Sequence, residues 1–60
     1  MTLGELLEVT ERYQTIAVFK TCDDGFCYQG LAHETPQDLR GLNVESMIAY
    51  EWEINVLVKQ

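Results

Sequence analysis

Leu3, Leu6 and Leu7 stand at i, i+3 and i+4, while Glu5 and Glu8 fall on the other side of the same stretch. That spacing predicts an amphipathic helix of about two turns. Thr2-Leu3-Gly4-Glu5 fits a capping box, in which the Thr2 hydroxyl and the Glu5 carboxylate satisfy free backbone N–H groups. The helix should end near Val9-Thr10, where β-branched residues begin. Gly4 weakens it by up to about 1 kcal/mol relative to alanine. So short a helix needs a sheet beneath it to hold.

Gln14 to Leu31 reads as one β-hairpin. Ile16, Val18 and Phe19 precede Asp23-Asp24-Gly25, and Phe26, Tyr28 and Leu31 follow it. A β-rich run broken once by Asp-Gly is a strong hairpin signal. Two registers fit the turn. A two-residue loop, Asp24-Gly25, sets Cys22 directly opposite Cys27, within disulfide reach. A three-residue loop, Asp23-Asp24-Gly25 with a glycine bulge, sets Cys22 opposite Phe26 and turns Cys27 to the other face.

Thr35-Pro36-Gln37-Asp38 predicts a second helix start, with Thr35 as N-cap, Pro36 at the first helical position and Asp38 complementing the positive end. Leu39 can point inward, and Gly41 is a natural stop after about one turn. From Leu42 onward the chain is strand-like again. Val44, Met47, Ile48 and Tyr50 come first, and Ile54, Val56, Leu57 and Val58 follow. A hairpin turning near Glu51–Glu53 is expected, although turn-forming residues are absent there. The alternative is one long bent strand. The assembly expected is α+β: a small four-stranded antiparallel sheet built from two hairpins, with the N-terminal helix on one face and a one-turn helix between the hairpins.

The 60 residues make one domain at most. A hydrophobic fraction of 47% argues against disorder. In chains this small, burial nearly cancels conformational entropy, so a second subunit is the economical source of extra burial, and a homodimer is expected. The formal charge is −6, from ten acidic and four basic residues. No Lys/Arg cluster exists to neutralise phosphates along a nucleic acid, and the field favours a partner protein with a basic surface. No basic n-region or membrane-length apolar run is present, so a cytoplasmic location is expected. No cofactor motif occurs.

The opening Thr-Leu-x-Glu-Leu-Leu helix, the hairpin around Asp23-Asp24-Gly25, the Thr35-Pro36 turn and the two final strands resemble small accessory proteins encoded by phages and mobile elements of Gram-positive bacteria. The resemblance spans nearly the whole chain. It implies a non-enzymatic accessory protein acting in a host cytoplasm, since several such groups inhibit host defence systems by binding. No site residue comes with it.

The residues that could carry chemistry are few. Cys22 and Cys27 lack the partners of a four-ligand zinc site, but form a redox pair if their thiols face each other. His33 with Cys27 is a nucleophile–base pairing by residue type only, without a third group or an oxyanion hole. Trp52 lies between Glu51 and Glu53, with Tyr50 before it and Glu45 nearby. An aromatic flanked by acids on a loop suits a protein interface; a tryptophan folded back over a small core is the competing reading. Tyr13, Phe19, Phe26 and Tyr28 can form cross-strand pairs. The function expected is therefore protein binding without catalysis, through Trp52, Tyr50, Glu45, Glu51 and Glu53, as inhibitor of a host factor. A thiol switch at Cys22 and Cys27, or an accessory subunit pairing through a sheet edge, are the alternatives.

Overall fold

Every free N–H at the start of the first helix finds a partner, and this fixes how the chain packs. A helix leaves its first four N–H groups without intrahelical acceptors. In the computed structural model, which describes residues 1–20 and 25–59, helix α1 spans Leu3–Glu8. The Glu5 carboxylate accepts from Thr2 N–H at 2.8 Å, and the Thr2 hydroxyl accepts from Glu5 N–H at 3.2 Å. The capping box is thus formed as its sequence specifies. The other two donors, Leu3 N–H and Gly4 N–H, reach the carbonyls of Leu42 and Arg40, both at 2.8 Å. A tertiary contact thereby completes what local sequence began.

Four strands follow: β1 Thr15–Lys20, β2 Gly25–Leu31, β3 Asn43–Ala49 and β4 Ile54–Lys59. Their order in the sheet is β2-β1-β4-β3. The two hairpins are antiparallel, but β1 and β4 run parallel at the centre. The sheet is therefore mixed, which corrects the all-antiparallel expectation. The reason lies in β4, which carries apolar side chains on both faces at Ile54, Val56, Leu57 and Val58, as a strand flanked on both sides requires. β3, with Glu45 and Ser46, goes to the edge.

Ile16 and Val18 of β1 lie beside Ile54 and Val56 of β4, and with Val58 they face α1. Leu3 and Leu6 pack onto this layer, and Ala32 and Leu39 close it from the β2–β3 connection. The opposite face carries Ala17 and Phe19 from β1, Phe26 and Gln29 from β2, Asn55 and Leu57 from β4, and Ser46 and Ile48 from β3. No helix covers it.

The first hairpin pairs Lys20 with Gly25 and Phe19 with Phe26, then shifts at Cys27 so that Val18 meets Tyr28. Neither expected register is adopted. Side-chain placement outweighs turn preference here: the observed register puts Phe19 against Phe26, ring centroids 5.6 Å apart and edge to face, and sets Tyr28 on the core side. Phe19 and Tyr28 consequently occupy opposite faces. Asp23 and Asp24 lie outside the described residues.

The connection forms two 3-10 turns, Ala32–Glu34 and Gln37–Leu39, where one α-helical turn was expected. Thr35 does not cap the second. It is buried, and its hydroxyl donates to the Ala32 carbonyl at 2.7 Å, closing the first turn instead. Pro36 takes the N-cap position, and Leu39 points inward as its hydrophobicity requires. The last hairpin does turn at the acidic segment: Tyr50 N–H donates to the Glu53 carbonyl at 2.7 Å. No helix among the described residues is long and apolar enough to cross a membrane.

Candidate protein-binding face

Of the large apolar side chains left in solvent, Phe26 and Ile48 share one side of the sheet and Tyr50 and Trp52 share one turn, while Met1, Val9, Tyr13 and Met47 lie elsewhere. Phe26 is 57% exposed, Ile48 58% and Trp52 71%. Phe26 and Ile48 belong to the face opposite α1, where Phe19 and Leu57 lie between them. Phe19, Ser46, Ile48, Asn55 and Leu57 line an open depression of about 210 Å³ in that face. Single exposed apolar residues are ordinary, but a contiguous group marks an interaction surface.

One residue of the lining carries an unusual atom. The Asn55 side-chain carbonyl oxygen is buried beneath the surface and has no hydrogen-bond partner among the described residues. Enclosing such an acceptor unpaired costs about 1–3 kcal/mol. β4 places it there because Asn55 alternates with Ile54 and Val56, which face the core, so its own side chain must face outward.

One end of the same face is closed by a polar bridge. The Gln29 amide donates to the Glu53 carboxylate at 2.7 Å. Because β1 lies between β2 and β4, this bond passes over β1 and shields Ala17, which is buried despite facing away from the helix. Glu53 is thus a structural acceptor on two counts, through its carboxylate and through its backbone carbonyl.

The five residues singled out as a binding site do not form one patch. Tyr50 and Trp52 stack at the turn, centroids 5.7 Å apart with planes 20° from parallel, and Glu51 is exposed between them in the chain. Trp52 does not fold over the core. Glu45 sits near the other end of β3, about 17 Å away at roughly 3.3 Å per residue, beside Lys59 at 3.9 Å. The turn thus keeps Tyr50, Glu51 and Trp52 together, whereas Glu53 serves the fold and Glu45 stands apart. What sequence reasoning missed is Asn55, whose burial depends on neighbours from two other strands.

Cys27 is half-buried against the core, its thiol 3.6 Å from the Gly25 carbonyl. Cys22 lies outside the described residues. Cys27 lies within β2 and His33 in the 3-10 turn that follows it, the strand from Cys27 to Leu31 alone spanning about 13 Å, so they make no nucleophile–base pair. Among the described residues no three His, Cys, Asp or Glu side chains converge as metal ligands would.

The β3 edge is guarded in two ways. The Val44 N–H donates to the Met1 carbonyl at 2.8 Å, and Thr2 bridges Asn43, so the start of the edge is covered. A register shift between Val44 and Ser46 then interrupts it. Both devices oppose extended strand addition. No family model, curated protein or solved structure matches this chain, so fold and surface carry the functional argument.

Proposed function

We propose that the protein acts by binding a partner protein on the uncovered sheet face and the Tyr50–Trp52 turn, without catalysis of its own. The carrying observation is the open apolar depression on the uncovered sheet face, lined by Phe19, Ile48 and Leu57 with Phe26 exposed beside it. The net charge of −6 favours a partner with a basic surface. Phe19, Phe26, Ile48 and Leu57 supply apolar contact, and Trp52 supplies an anchor. With the resemblance to phage and mobile-element accessory proteins, this reading points to an inhibitor that occupies the basic or nucleic-acid-binding surface of a host defence factor.

The test is capture of a partner from host lysate by the native chain, followed by affinity measurement for Ile48→Glu, Trp52→Ala and Glu51→Lys at low and high salt. Ile48→Glu and Trp52→Ala should each cost more than about 1 kcal/mol, as interface anchors do. Affinity should fall as salt shortens the Debye length from about 10 Å to about 3 Å. If Ile48→Glu and Trp52→Ala both stay within about 0.5 kcal/mol, the range of neutral surface changes, the interface lies elsewhere. Light scattering over a concentration series checks the competing occupant, a second copy of the chain.

A further inference from the structure

Another cleft lies on the other side of the molecule, between α1 and the β2–β3 connection. Its volume is about 210 Å³, and Arg12, His33 and Arg40 line it, with Leu7 and Ala32 as apolar floor and Glu8 on the rim. The composition of this wall is unexpected for the chain. Of four basic residues, two are here, together with the single histidine, in a protein with ten acidic residues. Yet the one ion pair among the described residues is Lys59–Glu45. Among the described residues, neither arginine of the cleft has a carboxylate within ion-pair distance.

Arg40 is also held in place. Arg40 donates from Nε to the Thr35 carbonyl at 3.1 Å and from Nη2 to the His33 carbonyl at 3.3 Å. Its Nη1 donors remain unused among the described residues. Arg12 lies 5.3 Å from the centre of the Tyr13 ring, and Tyr13 meets His33 edge to face at 5.4 Å. The His33 N–H donates to the Arg12 carbonyl at 3.0 Å. Arg12, His33 and Arg40, which line the cleft, are therefore linked to one another through backbone carbonyls and the neighbouring Tyr13 ring. The helix end nearby adds little opposing charge, because the Leu6 carbonyl accepts from Val9 N–H and the Thr10 hydroxyl, and the Leu7 carbonyl from Thr10 N–H.

We propose that this cleft binds a small phosphate monoester, its phosphoryl oxygens held by Arg12, His33 and Arg40 and its substituent resting on Leu7 and Ala32. Two guanidinium groups exceed what one carboxylate needs, since a single arginine satisfies a carboxylate with two parallel bonds. A phosphoryl group offers three terminal oxygens and a charge approaching −2. The cleft is smaller than the roughly 300–1,000 Å³ that hold drug-sized ligands, so the substituent is compact. Glu8 opposes the ligand's charge and sets an upper limit on affinity.

The experiment is a nitrogen-15 NMR titration of the full chain at fixed ionic strength, with phenyl phosphate, inorganic phosphate and benzoate as probes. Saturable shifts are expected at Thr10, Arg12, His33 and Arg40 with phenyl phosphate, weaker ones with inorganic phosphate and the weakest with benzoate. Arg12→Gln should weaken phenyl phosphate binding about tenfold, the value of one charge-assisted contact, with an otherwise unchanged spectrum. Arg12 is the informative position because Arg40 also braces the connection. Glu8→Gln should tighten binding. Unsaturable or scattered shifts, unchanged affinity in Arg12→Gln, or benzoate binding as well as phenyl phosphate would each overturn the proposal. Equal binding of inorganic phosphate and phenyl phosphate would remove the ester from it.

Discussion

The Tyr28 side chain lies across Gly30, two residues further along the same strand. Its hydroxyl donates to the Leu31 carbonyl at 2.7 Å. A β-carbon built on Gly30 would stand 2.7 Å from that hydroxyl oxygen and 3.1 Å from the ring carbon bearing it. The glycine is therefore the platform that lets the ring reach its acceptor. Gly30→Ala should destabilise the protein by about 1–3 kcal/mol, the cost of overpacking. In urea melts, adding Tyr28→Phe should cost less in the Gly30→Ala background than in the native one, because the hydroxyl contact is shared. Additive losses would show that the two side chains do not meet.

Tyr28 also links stability to alkaline pH. Burial holds its phenol above the ordinary value of 10.0, and the nearby Glu34 carboxylate adds to this, with Arg40 partly opposing. The folded state keeps the proton where the unfolded chain releases it. This contribution is full below about pH 10 and is lost as pH rises through the folded pKa. Urea midpoints from about pH 8 to about pH 11 should fall less steeply for Tyr28→Phe than for the native chain. Parallel curves would overturn this.

The capping box makes the opposite pH prediction. The Glu5 carboxyl is held below its ordinary 4.5, first by Thr2 N–H, next by the Thr2 hydroxyl, with slight aid from the N-terminal ammonium. Its contribution is present above that value and is lost as pH falls through the lower folded pKa. Glu5→Gln should flatten the acid limb of a circular dichroism titration. Thr2→Ala should cost about 1 kcal/mol at neutral pH; no change would mean that the bonds from Leu3 and Gly4 N–H to the Leu42 and Arg40 carbonyls alone hold the helix.

Gly4 tests how tightly that helix is docked. Alanine gains about 1 kcal/mol over glycine inside a helix. Here the added carbon would meet the Arg40 carbonyl oxygen at 3.1 Å, the same oxygen that accepts the Gly4 N–H. Gly4→Ala should therefore give no gain in melting temperature, and a loss if the connection cannot yield. A gain of the full helix propensity would show a loose contact.

Asn55 carries a cost in stability. Asn55→Val removes an unpaired buried acceptor and adds a good strand former. The free protein should gain about 1–2 kcal/mol, read by calorimetry as a higher melting temperature. A less stable Asn55→Val chain would mean that the oxygen is not an energetic burden.

Helix α1 was readable because its information is local: Leu3, Leu6, Thr2 and Glu5 interact within one turn, and the structure keeps them so. The two hairpins were readable from alternation, including the last one, whose turn at Tyr50–Glu53 lacks turn-forming residues. Three things depended on the assembled chain. The parallel pairing of β1 with β4 joins residues far apart in sequence, and alternation fixes which side chains share a face but not which strand lies alongside. The register of the first hairpin followed the Phe19–Phe26 and Val18–Tyr28 contacts instead of the Asp-Gly signal, because a shift would turn every side chain to the wrong face. Finally, the fates of Thr35, Trp52 and Asn55 were set by neighbours from other elements: Thr35 turned inward to Ala32, Trp52 outward onto Tyr50, and the Asn55 oxygen was enclosed. Local pattern chooses helix or strand through backbone geometry, but burial belongs to the whole packed molecule.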